Sequence, residues 1–118
     1  MAMTIYTKNV SEPWFSLIKL GIKSCEGRLN KGDFSKMNKG DIIIFKNSEF
    51  IFARSCKCII TSIHDYKSFA EYLKNETLEK TLPGIDTLKD GCKIYYTYFK
   101  KEDESKYGIK AFRIKIQK

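Results

Sequence analysis

The run SEPWFSLIKLG, Ser11 to Gly21, marks both of its own ends and so constrains the chain on either side of it. Ser11 can cap a helix, Pro13 is tolerated in a first turn, Trp14, Leu17 and Ile18 form an apolar stripe, and Gly21 is a natural stop. A helix is therefore predicted here, preceded by a short strand in TIYTK at 4–8. Beyond the stop, IKSCEGRL is predicted extended, DFSKMNKGD supplies a turn, and IIIF at 42–45 reads as a short buried strand.

The tetrapeptide NKGD occurs at 30 and again at 38. Eight residues is too short a period for a structural repeat, so each copy reads as a turn that hands the chain to a new strand. A long extended section follows from Phe50 to His64, predicted to bend near Arg54 to Lys57, where polar residues break the apolar alternation. Ser68 can cap a helix through FAEYLKNE, and TLEKTLPG closes on a Pro-Gly turn. In DTLKDGCKIYYTYFK, helical spacing puts Leu88, Gly91 or Cys92, Tyr95, and Tyr98 or Phe99 on one face, with Asp86 as the cap. EDES is predicted to be an acidic turn, and AFRIKI alternates with Phe112, Ile114 and Ile116 inward. Strand, helix, several strands, helices and a final strand imply an α+β fold, most economically a small curled or closed sheet with helices against its openings.

At 118 residues the chain suits one domain over 1–118, and 42% hydrophobic content supports a real core. The net charge of +8 favours an anionic partner, RNA or DNA first and a membrane surface second. Residues 1–60 hold ten Lys and Arg against five acids, so the first half carries the sharper basic face. No stretch approaches the ~20 apolar residues that span a bilayer, and no signal region opens the chain. A cytoplasmic, reducing location is expected, with Cys25, Cys56, Cys58 and Cys92 as free thiols.

GIKSCEGR at 21–28 fits the G-x-K-x-x-E-x-R signature and resembles the ASCH domain family of the PUA-like superfamily. EPWF before the first helix, KGDIII after the turn, LEKTLPG at 78–84 and EDESKYG before the last strand extend the resemblance over nearly the whole chain. The resemblance implies a PUA-like β-barrel and a cleft, lined by the signature, that takes RNA or a nucleotide. It also implies a hydrolytic alternative, since some relatives remove the acetyl group from N4-acetylcytidine and nuclease activity has been attributed to others. Whether catalysis occurs is left open, as is the oligomeric state.

Lys23 follows a helix stop, where it can turn into a cleft and lose part of its hydration. Strand alternation puts Glu26 and Arg28 on one face, with Arg28 able to hold the carboxylate or grip a phosphate, and Glu26 able to accept an exocyclic amine. Lys23 can meet them only from the corner after Gly21 or across a bulge. Trp14 and Ser24 are candidate neighbours of the ligand, Trp14 equally an anchor of the first helix. In the deacetylating relatives a threonine stands three places after the lysine and a later helix supplies a glutamate. Here Glu26 takes the threonine position, and Glu76 is the best match for the glutamate. A hydrolytic set would then be Lys23, Glu26 and Glu76, with Glu26 activating water because a carboxylate cannot replace the hydroxyl nucleophile.

Cys56 and Cys58 share a strand face with His64 further on, but the spacing lacks a second ligand pair, so neither metal nor cofactor is expected. His64 with Asp65 reads as a structural turn histidine. Tyr95, Tyr96, Tyr98 and Phe99 could stack a base, although helical spacing favours core packing for most of them. A third reading, an adaptor for another protein, would show as a large exposed apolar patch away from the cleft.

Overall fold

The computed structural model describes residues 2–118. Strand β1 (Ile5–Asn9) leads into α1 (Trp14–Lys19), β2 (Cys25–Leu29), a 3-10 turn at Gly32–Ser35, β3 (Ile42–Asn47) and the long β4 (Arg54–Tyr66). Helices α2 (Phe69–Glu76), α3 (Leu78–Thr81), α4 (Leu88–Tyr98) and α5 (Lys101–Tyr107) precede the last strand, β5 (Ile109–Gln117). The five strands form one sheet in the order β1-β3-β4-β5-β2, with β1 parallel to β3 and every other neighbour antiparallel. The fold is α+β, a curled half-barrel sheet with helices packed on it.

β4 is central and pairs with both β3 and β5, and its register slips between Ile60 and Ser62. That bulge lies beyond the predicted bend at Arg54–Lys57, which is instead the regular start of the strand. A bulge sharpens the local twist, which lets one long strand serve a curled sheet. Phe50, Ile51 and Phe52, predicted extended, form an exposed loop ahead of β4. Inside the curl, Phe15 and Ile18 of α1, Ile43 and Phe45 of β3, Ile60 of β4, Phe69, Tyr72 and Leu73 of α2, and Phe112 of β5 make one core.

Local signals sorted the boundaries unevenly. Gly21 ends α1 at φ +78°, as its position suggested. Ser11 does not cap α1 with its side chain; the Glu12 carboxylate accepts from Ser16 N at 2.8 Å, and Ser11 supplies only its carbonyl, to Phe15 N. Thr87, not Asp86, caps α4, accepting from Asp90 N. Leu88 and Tyr98 fall outside the buried face of α4, which is carried by Gly91 and Tyr95. EDES is not a turn but the first part of α5, where Glu102, Asp103 and Glu104 suit the positive end of the helix.

The two NKGD copies do different work. Asp41 of the second is buried and locks the turn, accepting from Thr4 N and Asn38 N. Asp33 of the first sits at the surface in the 3-10 turn, which leads to no strand directly, and pairs with Lys8 at 2.7 Å.

Candidate functional site

A cleft of about 460 Å³ opens where the two edges of the sheet approach one another. β2 brings Glu26, Gly27 and Arg28 to it, the corner after α1 brings Lys23, and α1 contributes Trp14. The opposite side is polar backbone and side chain from the end of β1 and of β3, including Asn9 and Asn47. Leu82, Tyr95 and Phe99 supply apolar surface.

The signature residues converge. Lys23 Nζ lies 3.5 Å from Glu26 Oε1, with side chains only 1% and 7% exposed. Lys23 precedes β2 and reaches Glu26 from the corner, as strand alternation required. Its ammonium also donates to the Cys25 carbonyl at 2.8 Å and to the Thr81 carbonyl, and it lies 5.9 Å from the centre of the Trp14 ring. Two acceptors that can only accept and one carboxylate account for its three protons. Burial pushes the Lys23 ammonium below its ordinary value, and the Glu26 carboxylate opposes that shift.

Burial alone would raise the Glu26 carboxyl, but Lys23 and Arg28 outweigh it and hold the group below the usual carboxylate range. The carboxylate accepts from Gly27 N at 3.1 Å and from Arg28 Nη2 at 3.4 Å. None of these contacts is short, and a carboxylate offers about four lone-pair sites, so Glu26 keeps capacity for a donor on a ligand. Arg28 Nη2 also donates to the Asn9 carbonyl at 2.9 Å, while Nε and Nη1 make no hydrogen bond among the described residues. The guanidinium therefore carries free donors at the cleft.

Other predicted residues lie elsewhere. Ser24 lines a small separate hollow beside Lys23, and its backbone N–H is held by the Lys80 carbonyl. Glu76 does not line the cleft. Its buried carboxylate accepts from Arg113 Nε at 2.8 Å and from Tyr66 Oη at 2.5 Å, with the Cys25 thiol at 3.7 Å. Burial would raise Glu76, but Arg113 and the Tyr66 hydroxyl keep it below the usual range; burial pushes the Cys25 thiol up to about 12.

Tyr95 is buried, shares a hydrogen bond with Tyr72 at 2.8 Å and stacks on Phe69. Tyr96 donates to Glu104, and Tyr98, 56% exposed, bonds Ser11 Oγ at 2.7 Å beside the cleft. Cys56 and Cys58 are buried side by side on β4, His64 contacts Ser62, and no group of three or more metal-ligating residues occurs among the described residues.

The sequence did not single out Asn9, Asn47 or Thr81. Asn47 is almost wholly buried and binds the Val10 carbonyl, Glu49 and Arg54, fixing the polar side of the cleft. A polar residue directly after the apolar IIIF run was its one visible signal. Asn9 and Thr81 act through backbone carbonyls, which leave no trace in side-chain identity.

The profile of the ASCH domain family matches residues 9–117. The crystal structure of hypothetical protein PH0355 superposes with a TM-score of 0.87 at 33% identity, covering 97% of this chain and 100% of that one. The solution NMR structure of protein PF0455 from Pyrococcus furiosus gives 0.78 at 31% identity, covering 98% and 99%. No curated protein matches the chain.

Proposed function

The chain belongs to the ASCH domain family, and on that premise we propose that it binds RNA through a base and phosphate held in the cleft. One observation carries this reading: a carboxylate kept ionised out of water by Lys23 and Arg28, in a hollow that also presents apolar and aromatic surface. A planar base with an exocyclic amine donates to Glu26, and its ring covers Trp14 and neighbouring apolar atoms. The free Arg28 donors and Lys46, which also lines the cleft, take the attached phosphate. A volume of about 460 Å³ suits one nucleotide.

The hydrolytic alternative needs a glutamate from the later helix, and Glu76 is engaged with Arg113 and Tyr66 outside the cleft. The adaptor alternative asks for an apolar patch away from the cleft. The exposed Phe50, Ile51 and Phe52 instead follow Ser48 and Glu49, which line it.

Calorimetric titration with the four nucleosides tests the reading. Cytidine, adenosine or guanosine should bind and uridine, which lacks an exocyclic amine, should not; Glu26→Gln should erase the preference. Uridine binding as tightly as the others would remove Glu26 as the base-reading group.

A further inference from the structure

Past Arg28 a second hollow of about 500 Å³ begins, lined by Lys8, Arg28, Lys31, Lys100 and the aromatic rings of Phe34, Tyr98 and Phe99. Arg28, Tyr98 and Phe99 line both hollows, so the second continues the first. We infer that this groove holds the neighbouring nucleotide of a single-stranded RNA whose adjacent base occupies the cleft. The inference rests on the base-binding reading of the cleft and adds that the ligand is a strand, not a free nucleoside.

The charges support a phosphate path. Asp33 and Asp103 also line the groove, but Asp33 is taken by Lys8 at 2.7 Å. Lys31 and Lys100 are exposed and make no ion pair among the described residues. Arg28 stands at the junction with Nε and Nη1 uncommitted, where the phosphate linking two nucleotides must pass.

The apolar surfaces are aromatic, which separates a nucleic acid from an acidic peptide. Tyr98 is exposed, and Phe34 lies with the Lys8 ammonium 5.0 Å and the Arg28 guanidinium 5.1 Å from its ring centre. Rings interleaved with cations offer a base a stacking surface and its phosphate a counter-charge. No such ring-and-cation alternation is needed for a carboxylate-rich peptide.

The experiment compares a nucleoside that fits the cleft with a fluorescein-labelled single-stranded RNA hexamer, using wild type, Lys31→Ala/Lys100→Ala and Glu26→Gln. The double variant should weaken hexamer binding by about tenfold or more and lower the slope of log affinity against log salt by about two. Nucleoside affinity should not change, because neither lysine lines the cleft. Nucleoside binding that depends on Glu26, with hexamer binding indifferent to both lysines, would overturn the groove and leave the cleft reading intact. Absent nucleoside binding, with hexamer binding indifferent to Glu26→Gln, would defeat the cleft reading and the groove with it. An acidic hexapeptide that displaces the RNA at equal concentration would also overturn the assignment.

Discussion

Arg28 Nη2 donates to the Asn9 carbonyl at 2.9 Å, and that bond joins β2 to β1, the two edge strands of the sheet. An exposed edge is a row of unpaired backbone groups, so a curled sheet must either close or cover its seam. Here a side chain bridges it. The same guanidinium contacts Glu26 at 3.4 Å, so the residue that closes the sheet also sets the charge of the cleft formed at the closure.

Arg28→Met keeps the stem and removes the fork. Loss of charge-assisted hydrogen bonds to Asn9 and Glu26 should cost about 1.5–3 kcal/mol in urea unfolding. Amide exchange should quicken in β1, which would have lost its tie to β2. Exchange unchanged in Ile5–Asn9 would mean that Arg28 does not hold the seam.

Gly27 separates Glu26 from Arg28, and a Cβ there would stand 2.4 Å from Cζ and 2.6 Å from Cε2 of the buried Tyr72 ring. Gly27→Ala should therefore destabilise by about 1–3 kcal/mol or more, since the core has no space to yield. The obstacle is ring carbon as well as the hydroxyl, so Tyr72→Phe should not rescue the variant whereas Tyr72→Leu should recover part of the loss. Rescue by Tyr72→Phe would place the conflict at the hydroxyl alone.

The convergence at the cleft was legible because the signature residues are close in sequence: a glycine stop, a corner lysine and two same-face strand positions suffice to bring Lys23, Glu26 and Arg28 together. What holds them was not. The Thr81 carbonyl that receives Lys23 and the Asn9 carbonyl that receives Arg28 come from distant chain and from backbone atoms. Charge also misled at EDES, where the acidic residues carry no apolar stripe and look like a turn. Their helix is secured by a long-range contact, as Glu104 is buried and accepts from Phe69 N at 2.7 Å at the start of α2. Glu76 was placed near the lysine by analogy with relatives, whereas its partner Arg113 sits on β5 and could not be inferred from helix register.

Glu76→Gln separates fold from site. Its carboxylate carries charge-assisted bonds from Arg113 and Tyr66, so the variant should lose about 1.5–3 kcal/mol of stability. Base affinity in the cleft should stay at the wild-type value. Chromatography of N4-acetylcytidine incubated with wild-type protein should show no cytidine. Turnover that disappears in both Lys23→Ala and Glu76→Gln would instead establish the hydrolytic set.

The Lys23–Glu26 pair makes opposite demands at the two ends of the pH scale. Folding holds the Glu26 carboxyl below its unfolded value, so the unfolded chain takes up the proton first as pH falls. The stability it contributes is full above the unfolded value and is lost as pH drops through the folded one. Lys23 is also lowered by folding, and for a base the sign reverses: its unfavourable contribution is full below the folded value and fades as pH rises toward the unfolded one. Urea midpoints followed from neutral pH into acid should fall more steeply in wild type than in Glu26→Gln, with Glu76 supplying the acid sensitivity that remains. Lys23→Met at neutral pH should be the costliest single change in the cleft, about 3–5 kcal/mol, because it strands a buried carboxylate beside Arg28 alone. Adding Glu26→Gln to Lys23→Met should restore part of that loss, since the stranded charge is then gone; a strictly additive double variant would show that the two groups are not coupled.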